Sequence, residues 1–280
     1  MKKTYIFFVL LLGLGLWGCQ KDEPTPWTIG FADSLIVMTN APVNLIASEP
    51  TLWRLLQNGR ITNISGSTFT TPNTAGFFTL QAVKTADTTQ KQTRVVIVTP
   101  LADLFTDIRR GGYAIVFRHA SAADGTDVFN STLPQWWKSC DNKVARQLST
   151  PIGYDESRNL GRAIRRLKLP IGKVMSSEFC RCFTTAQLMQ LGMVEQHKDL
   201  TYYVYDESNR YDNMMKLIAQ QPINATNVLM VGHAGFSRTP NPAPLATLGW
   251  SDAAIFKLQT PPAAPLHVKT VTYKEWEMFK

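Results

Sequence analysis

The chain has 280 residues, of which 44% are hydrophobic and 18% charged, and its formal net charge is +8. This apolar content suffices for packed cores and excludes bulk disorder, and the length predicts two domains. The 17 Gly and 16 Pro follow no period, which excludes a fibrous repeat. Because the positive charge forms no lysine/arginine block, we expect no nucleic-acid partner.

The first residues have the features of an export signal. Lys2 and Lys3 are followed by an apolar stretch from Tyr5 to Leu16, and then by Leu16-Trp17-Gly18-Cys19. The ending at Cys19 resembles the lipobox of bacterial lipoproteins, in which the cysteine is acylated and becomes the new N-terminus. A plain signal peptide or a short membrane anchor is the alternative.

The lipobox resemblance implies a location. Residues 1–18 would be a signal peptide that is removed, and residues 19–29, polar with two prolines, would be a linker. The protein would be held in the cell envelope by lipid on Cys19. We expect it on the outer membrane of a Gram-negative bacterium, facing the periplasm or the surface.

Residues 30–100 are predicted to form an all-β domain. Short runs rich in Thr, Val, Ile and Phe alternate with turn residues, and Asn58-Gly59 is typical of a hairpin turn. The stretch resembles a small immunoglobulin-like sandwich. We interpret it as a spacer, with ligand or protein binding as the alternative. The predicted strands are Ser34–Met38, Val43–Ala47, Thr51–Leu56, Gly76–Val83 and Thr93–Val98.

Residues 101–280 change to an α/β pattern. Short apolar strands alternate with helical stretches, which predicts a mostly parallel sheet with helices on both faces, in three αβα layers. The predicted strands are Tyr113–Phe117, Val174-Met175, Val228–Val231, Ala253–Leu258 and Val268–Tyr273, and the predicted helices are Asp103–Arg110, Asp155–Leu167, Cys182–Leu191 and Asn213–Ala219.

Charged side chains follow three of these strands. Arg118-His119 comes directly after one strand, Arg181 lies just behind the second, and Gly232-His233 follows the third. Because the carboxyl ends of parallel strands meet at one edge, we expect these side chains to converge. Two arginines and two imidazoles suit a dianion such as a phosphoryl group. A neutral imidazole can attack phosphorus, and Arg and His can neutralise its charge, so we predict no metal and no cofactor.

In this order the motifs resemble those of the histidine phosphatase superfamily, which has the phosphoglycerate-mutase-like fold. Phe117-Arg118-His119-Ala120 is similar to its Arg-His-Gly signature, with alanine in place of glycine. The segment from Ser176 to Ala186 is similar to its second-arginine segment, and Val231-Gly232-His233 to its late Gly-His. Leu248 to Ile255 resembles the following turn and strand. The resemblance spans about residues 103–275.

The resemblance implies roles for these residues. His119 would be the nucleophile, and Arg118, Arg181 and His233 would bind the phosphoryl oxygens. The family's general acid is usually a carboxylate between the second arginine and the Gly-His. Here Glu207 is the first candidate and Asp206 the second, although some small members manage without an acid at this place.

We therefore expect an exported, membrane-anchored phosphatase. It would be a phosphoric monoester hydrolase of the histidine acid phosphatase type, acting through a phosphohistidine on a phosphorylated small molecule or a phosphoprotein. One alternative is a mutase-like phosphotransferase, which an envelope location disfavours. Another is a catalytically lapsed surface lipoprotein that binds phosphorylated ligands.

The remaining reactive residues have more modest interpretations. Export favours one disulfide, in which Cys140 pairs with Cys180 or Cys182 and holds the insert after the first motif near the site. Trp136 and Trp137 in that insert either line a substrate pocket or pack. The other two histidines, His197 and His267, are interpreted as surface or structural residues.

Overall fold

The computed structural model describes residues 26–201, 204–206, 208–234 and 245–280 of the chain. The predicted lipidation site, Cys19, and the predicted acid, Glu207, lie outside the described residues. An all-β unit comes first and a mixed α/β unit follows. No helix in the described ranges is both long and apolar enough to cross a membrane.

The N-terminal unit contains a five-stranded sheet in the order β1-β7-β6-β3-β4 and a small sheet of β2 and β5. Asn58 and Gly59 form the β3–β4 hairpin turn with positive φ angles of 48° and 79°, as the sequence predicts. The immunoglobulin-like topology stays a prediction. The strands are β1 Ser34–Val37, β2 Pro42–Asn44, β3 Thr51–Gln57, β4 Arg60–Ile64, β5 Thr68–Thr70, β6 Gly76–Lys84 and β7 Lys91–Val98.

The C-terminal unit is built on a six-stranded sheet in the order β10-β9-β11-β8-β12-β13. The first four strands run parallel to one another, and β12 runs antiparallel to both of its neighbours, β8 and β13. The strands are β8 Tyr113–Arg118, β9 Ile171–Ser176, β10 Val194–Gln196, β11 Asn227–Gly232, β12 Ala253–Lys257 and β13 Leu266–Val271, and the helices are α1 Ala102–Ile108, α2 Ile152–Arg166, α3 Cys180–Met189, α4 Arg210–Ala219 and α5 Tyr273–Glu277.

The last predicted strand is wrong at its end. It was expected to run through Tyr273, but β13 stops at Val271 and Tyr273 begins α5. The cause is a capping box: the Thr272 side chain caps the helix, and Glu275 Oε2 accepts a hydrogen bond from the Thr272 backbone N–H at 2.7 Å.

Helices cover both faces of this sheet. Ile115 and Phe117 of β8 pack into a core with α1, α2, α3 and α5, whereas Ala114 and Val116 face a second core that includes side chains of α4. This alternation along a buried strand is expected for a sheet between two helical layers. The predicted three-layer arrangement is thus the one observed.

The two units share one packed interface. Phe77 of β6 meets Phe279 edge-to-face at 5.9 Å, and Phe279 in turn meets Phe105 of α1 at 5.6 Å. Arg166 lies over the Phe77 ring at 3.8 Å, and Ile97 joins the same core. The all-β unit is therefore packed onto the α/β unit rather than only tethered to it.

Candidate active site

A cavity of about 230 Å³ lies at the carboxyl ends of the parallel strands. β8 ends at Arg118 and β11 at Gly232, and these two residues are paired in the sheet register. The adjacent His119 and His233 therefore come close, with ring centroids 5.3 Å apart. The residues that line the cavity are Arg118, His119, Ala122, Thr126, Asp127, Phe129, Arg146, Arg181, His233, Ala234 and Trp250.

The four side chains predicted to form the core of the site thus line one cavity. Arg118 and His119 reach it from the end of β8, Arg181 from the first turn of α3, and His233 from the residue after β11. The catalytic and binding roles assigned to them stay predictions. The placement itself follows from parallel strand order, because strands that pair side by side deliver their following residues to one edge.

His119 is held with one ring nitrogen engaged. Its Nδ1 is 2.8 Å from the Ala120 carbonyl oxygen, which can only accept, so Nδ1 carries the proton. The second nitrogen, Nε2, then has its lone pair available when the ring is neutral. Burial, followed by the positive charge of Arg181 and then of Arg118 and Arg146, holds the pKa of His119 well below 6.5. The ring is therefore neutral at physiological pH.

Arg181 is a buried cation. Its side chain is only 5% exposed, and its guanidinium lies over the Phe179 ring at 4.3 Å. Nη1 donates to Asp127 Oδ1 at 2.9 Å and Nη2 to Oδ2 at 3.2 Å, a two-bonded geometry that fixes the plane of the fork. Nη1 also lies 3.3 Å from the carbonyl oxygen of Arg146.

Arg118 is anchored at the other side of the cavity. Nη1 donates to the Leu248 carbonyl at 2.9 Å, and the guanidinium lies 5.5 Å from the centre of the Trp250 ring. Its backbone N–H donates to the carbonyl of Asp252 at 3.0 Å. The turn from Leu248 to Asp252 therefore fixes where this charge lies.

Arg146 is a cavity residue that the sequence patterns do not reveal. It lies in the irregular insert between β8 and α2, far from any strand end, and its backbone N–H donates to Asp127 Oδ1 at 3.0 Å. The signal that could have found it is Cys140. A bridge from Cys140 to the neighbourhood of Arg181 brings this insert, with its arginine, to the site.

That bridge is present as Cys140–Cys180, which settles the two pairings left open by the sequence. Cys182 is free and buried, and burial raises the pKa of its thiol to about 12. The disulfide joins the insert to the residue directly before Arg181. The expectation that the bridge would hold the insert near the site is confirmed.

The described part of the cavity contains a carboxylate that the sequence did not single out. Among the described residues that line it, the carboxylate is that of Asp127. Asp206 does not line the cavity and instead accepts hydrogen bonds from Asn209 and Asn213. The position of Asp206 therefore does not support a role as the acid beside a bound phosphoryl group. The role of Glu207 stays a prediction.

The other singled-out residues lie outside the cavity. Trp136 packs edge-to-face on Phe179, and Trp137 donates to Glu178 Oε2 at 2.9 Å, so both tryptophans serve in packing. His197 caps a short 3₁₀ turn, and His267 lies on β13. Within the described ranges no three His, Cys, Asp or Glu side chains gather as a metal site.

Neither a scan of family models nor a search of curated proteins finds a match to this chain. Solved structures do show similarity. The protein histidine phosphatase SixA complexed with tungstate is 16% identical, covers 58% of this chain and 97% of its own, and has a TM-score of 0.39. A Mycobacterium tuberculosis protein is 19% identical over 59% of this chain and 100% of its own, also at 0.39. Phosphoserine phosphatase from Entamoeba histolytica is 12% identical over 59% and 98%, at 0.35.

Proposed function

We propose that the protein is a phosphatase that hydrolyses a phosphomonoester through a phosphohistidine on His119. One observation carries the proposal: Arg118, His119, Arg181 and His233, which come from three separate segments, line one cavity. The His119 ring suits the role of nucleophile, because burial and the nearby arginines hold its pKa well below 6.5 and its Nδ1 is bonded to a carbonyl.

Binding follows from the charges of the cavity. The cavity is lined by three arginines, Arg118, Arg146 and Arg181. Asp127 neutralises the positive charge of one of them, Arg181. Guanidinium forks match the tetrahedral oxygens of a phosphate, and a half-enclosed site strengthens these charge-assisted bonds. A phosphoryl dianion is therefore the ligand that this cavity accommodates best.

The chemical steps need no group beyond the chain and water. The lone pair on His119 Nε2 attacks phosphorus, a P–N bond forms, and the ester P–O bond breaks. The leaving oxygen takes one proton and departs as the alcohol. Water then attacks phosphorus and gives one proton back to the group that protonated the leaving oxygen. The P–N bond breaks, and inorganic phosphate leaves with His119 neutral again. The three arginines stabilise the charge on the transferring group in both steps.

We propose Glu207 as the donor of the proton to the leaving oxygen. Its support is its place in the chain between Arg181 and His233. The test compares Glu207→Gln on an alkyl phosphate and on para-nitrophenyl phosphate. A loss of kcat/KM confined to the alkyl ester, whose leaving group needs the proton, supports the role. The same change in kcat/KM on both esters, relative to the wild type, rejects it.

We also propose the envelope setting and the type of enzyme. Lipid on Cys19 would anchor the chain to the outer membrane, the all-β unit would be an immunoglobulin-like spacer, and the enzyme would be of the histidine acid phosphatase type. Support comes from the lipobox-like sequence that ends at Cys19 and from the packed all-β unit before the site. Cys19→Ser should abolish membrane retention, and retention of this variant would reject the lipid anchor.

Steady-state hydrolysis of para-nitrophenyl phosphate by the purified full chain tests the proposed function. His119→Ala should lower kcat/KM by roughly 10³-fold or more, because it removes the nucleophile. His267→Ala, a histidine outside the cavity, is the matched control and should keep wild-type activity. Wild-type turnover no greater than that of His119→Ala would reject the phosphatase and leave a phospho-ligand-binding protein.

A further inference from the structure

Glu156 of α2 does not line the cavity, but its carboxylate binds two loops that contribute lining residues. Oε1 accepts a hydrogen bond from the Ser121 hydroxyl at 2.7 Å, and Oε2 accepts one from the Ser121 backbone N–H at 2.7 Å and one from the Ser251 hydroxyl at 2.9 Å. Both serines are buried, and a carboxylate can only accept, so the direction of all three bonds is fixed. One acid therefore joins the loop that carries Ala122 to the turn that carries Trp250, and both of these residues line the cavity.

The first loop connects Glu156 to the orientation of the His119 ring. The Ala120 carbonyl and the Ser121 N–H belong to one peptide group, which is planar. The carbonyl oxygen of this group is the acceptor for His119 Nδ1 at 2.8 Å, and its N–H donates to Glu156. Fixing the N–H end therefore fixes the carbonyl end, and with it the rotation of the ring. The negative charge at the N–H end also polarises the peptide, which makes its oxygen a stronger acceptor for Nδ1–H.

The second loop holds the backbone of the same histidine. The Ser251 backbone N–H donates to the carbonyl oxygen of His119 at 3.3 Å. Ser251 is fully buried and has a φ angle of 64°, which lies in the left-handed region that favours glycine. The bond from its hydroxyl to Glu156 stabilises the serine in this conformation. Glu156 thus acts on both the ring and the backbone of His119 through the two serines.

We infer that Glu156 is a positioning residue for His119, an inference that rests on the proposed function. Nε2 can attack phosphorus only when the ring directs its lone pair in line with the ester bond that breaks. The Glu156 carboxylate keeps the ring in this orientation through the peptide group between Ala120 and Ser121. The arginines that bind the phosphoryl group have other hydrogen-bond partners, so Glu156 serves the attack rather than the binding.

Kinetics of the full chain with para-nitrophenyl phosphate test this role. Glu156→Ala should lower kcat/KM by roughly tenfold or more, because the peptide that orients the nucleophile loses its charged acceptor. Glu156→Gln keeps an oxygen that accepts the Ser121 N–H, and it should recover most of the lost kcat/KM. The inhibition constant of inorganic phosphate should stay within about twofold of the wild-type value in both variants, because the binding groups are intact.

Asp155→Ala is the matched control. Asp155 neighbours Glu156 on α2, its side chain is 61% exposed, and it pairs with Arg158. Because exposed pairs of this kind contribute little, kcat/KM of this variant should equal that of the wild type. If Glu156→Ala does not fold by circular dichroism, Glu156→Met replaces it with the same expected results, because methionine keeps the length of the side chain without a strong acceptor.

Nitrogen spectra of the full chain labelled with ¹⁵N-histidine report the orientation of the ring without turnover. The chain contains four histidines, and His119→Ala identifies the His119 signals. At physiological pH the wild type should show the His119 proton on Nδ1. In Glu156→Ala the Ala120 carbonyl is no longer fixed, so part of the His119 population should carry the proton on Nε2 instead. Glu156→Gln and Asp155→Ala should keep the wild-type pattern.

Wild-type kcat/KM in Glu156→Ala, an equal loss in Glu156→Gln, or a matching rise in the phosphate inhibition constant would overturn the inference. A His119 spectrum that is the same in Glu156→Ala and in the wild type would also overturn it. A wild type that shows the expected spectrum but no hydrolysis would reject the phosphatase. In that case the spectra of the variants would still decide whether Glu156 orients His119.

Discussion

Asp127 and Arg181 form a two-bonded ion pair within the basic cavity. Arg181 Nη1 is 2.9 Å from Asp127 Oδ1, Nη2 is 3.2 Å from Oδ2, and the two side chains are 5% and 12% exposed. The same carboxylate accepts the backbone N–H of Arg146. One acid from the insert therefore holds one cavity arginine by its side chain and another by its backbone.

Asp127→Asn should lower the free energy of unfolding by about 3 kcal/mol, since it removes the negative partner of a buried charge. Inorganic phosphate should recover part of this loss, because a dianion replaces the missing charge. Thermal unfolding with and without phosphate measures both effects.

The matched control is Asp107→Asn, which breaks an exposed pair with Arg110 and should change the free energy of unfolding by only about 0.5 kcal/mol. An equal phosphate-induced rise in Tm for the wild type and Asp127→Asn would contradict the proposed charge balance.

Arg146→Ala should shift the pH dependence of kcat/KM. Positive charge disfavours the imidazolium, so Arg146 helps to lower the pKa of His119, and the neutral nucleophile persists at pH well below 6.5. Removing this charge raises that pKa, so the acidic fall in kcat/KM should begin at a higher pH. Initial rates measured across the acidic range test this.

Arg110→Ala removes an exposed arginine outside the cavity and should leave the profile in place. A shift of the Arg146→Ala profile to lower pH would show that the charge acts on another group.

Cys140→Ser should weaken both stability and activity. The disulfide closes a sequence separation of 40 residues, and losing such a bridge costs about 2–4 kcal/mol. The freed insert carries Asp127 and Arg146, so kcat/KM should fall as well. Dithiothreitol should reproduce these effects in the wild type and have no further effect on Cys140→Ser. A reduced wild type with full activity would show that the bridge does not support the cavity.

Phe279→Ala should lower the free energy of unfolding, because this side chain packs between the two units. The side chain is fully buried between Phe77 and Phe105, and such truncations cost about 3–5 kcal/mol. Denaturant unfolding followed by circular dichroism should show this loss, with kcat/KM near wild type because the cavity is not lined by this residue. Unchanged stability would mean that the units are joined only by the chain.

The main site could be predicted because it depends on regular structure. Continuous apolar runs locate β8 and β11, and parallel strands deliver Arg118, His119 and His233 to one edge whatever the details of packing. Arg181 follows from the same rule, one strand further along.

The rest depends on contacts that no local pattern encodes. Asp127 and Arg146 lie in an insert with little regular structure, which a disulfide and the Trp137–Glu178 hydrogen bond hold in place. β4 was missed because it is polar and largely exposed, and only its pairing with β3 makes it a strand. α5 had a readable signal, the Thr272–Glu275 capping box, which the alternating strand pattern before it masked.

Trapping the covalent intermediate tests the central claim most directly. The full chain would be mixed with para-nitrophenyl phosphate, quenched in alkaline denaturant within milliseconds, and digested for mass spectrometry. A phosphoryl group on His119 in the wild type, and none on any histidine of His119→Ala, is the expected result. Phosphate release with no modified His119 at any quench time, or a phosphoryl group on another residue, would contradict it.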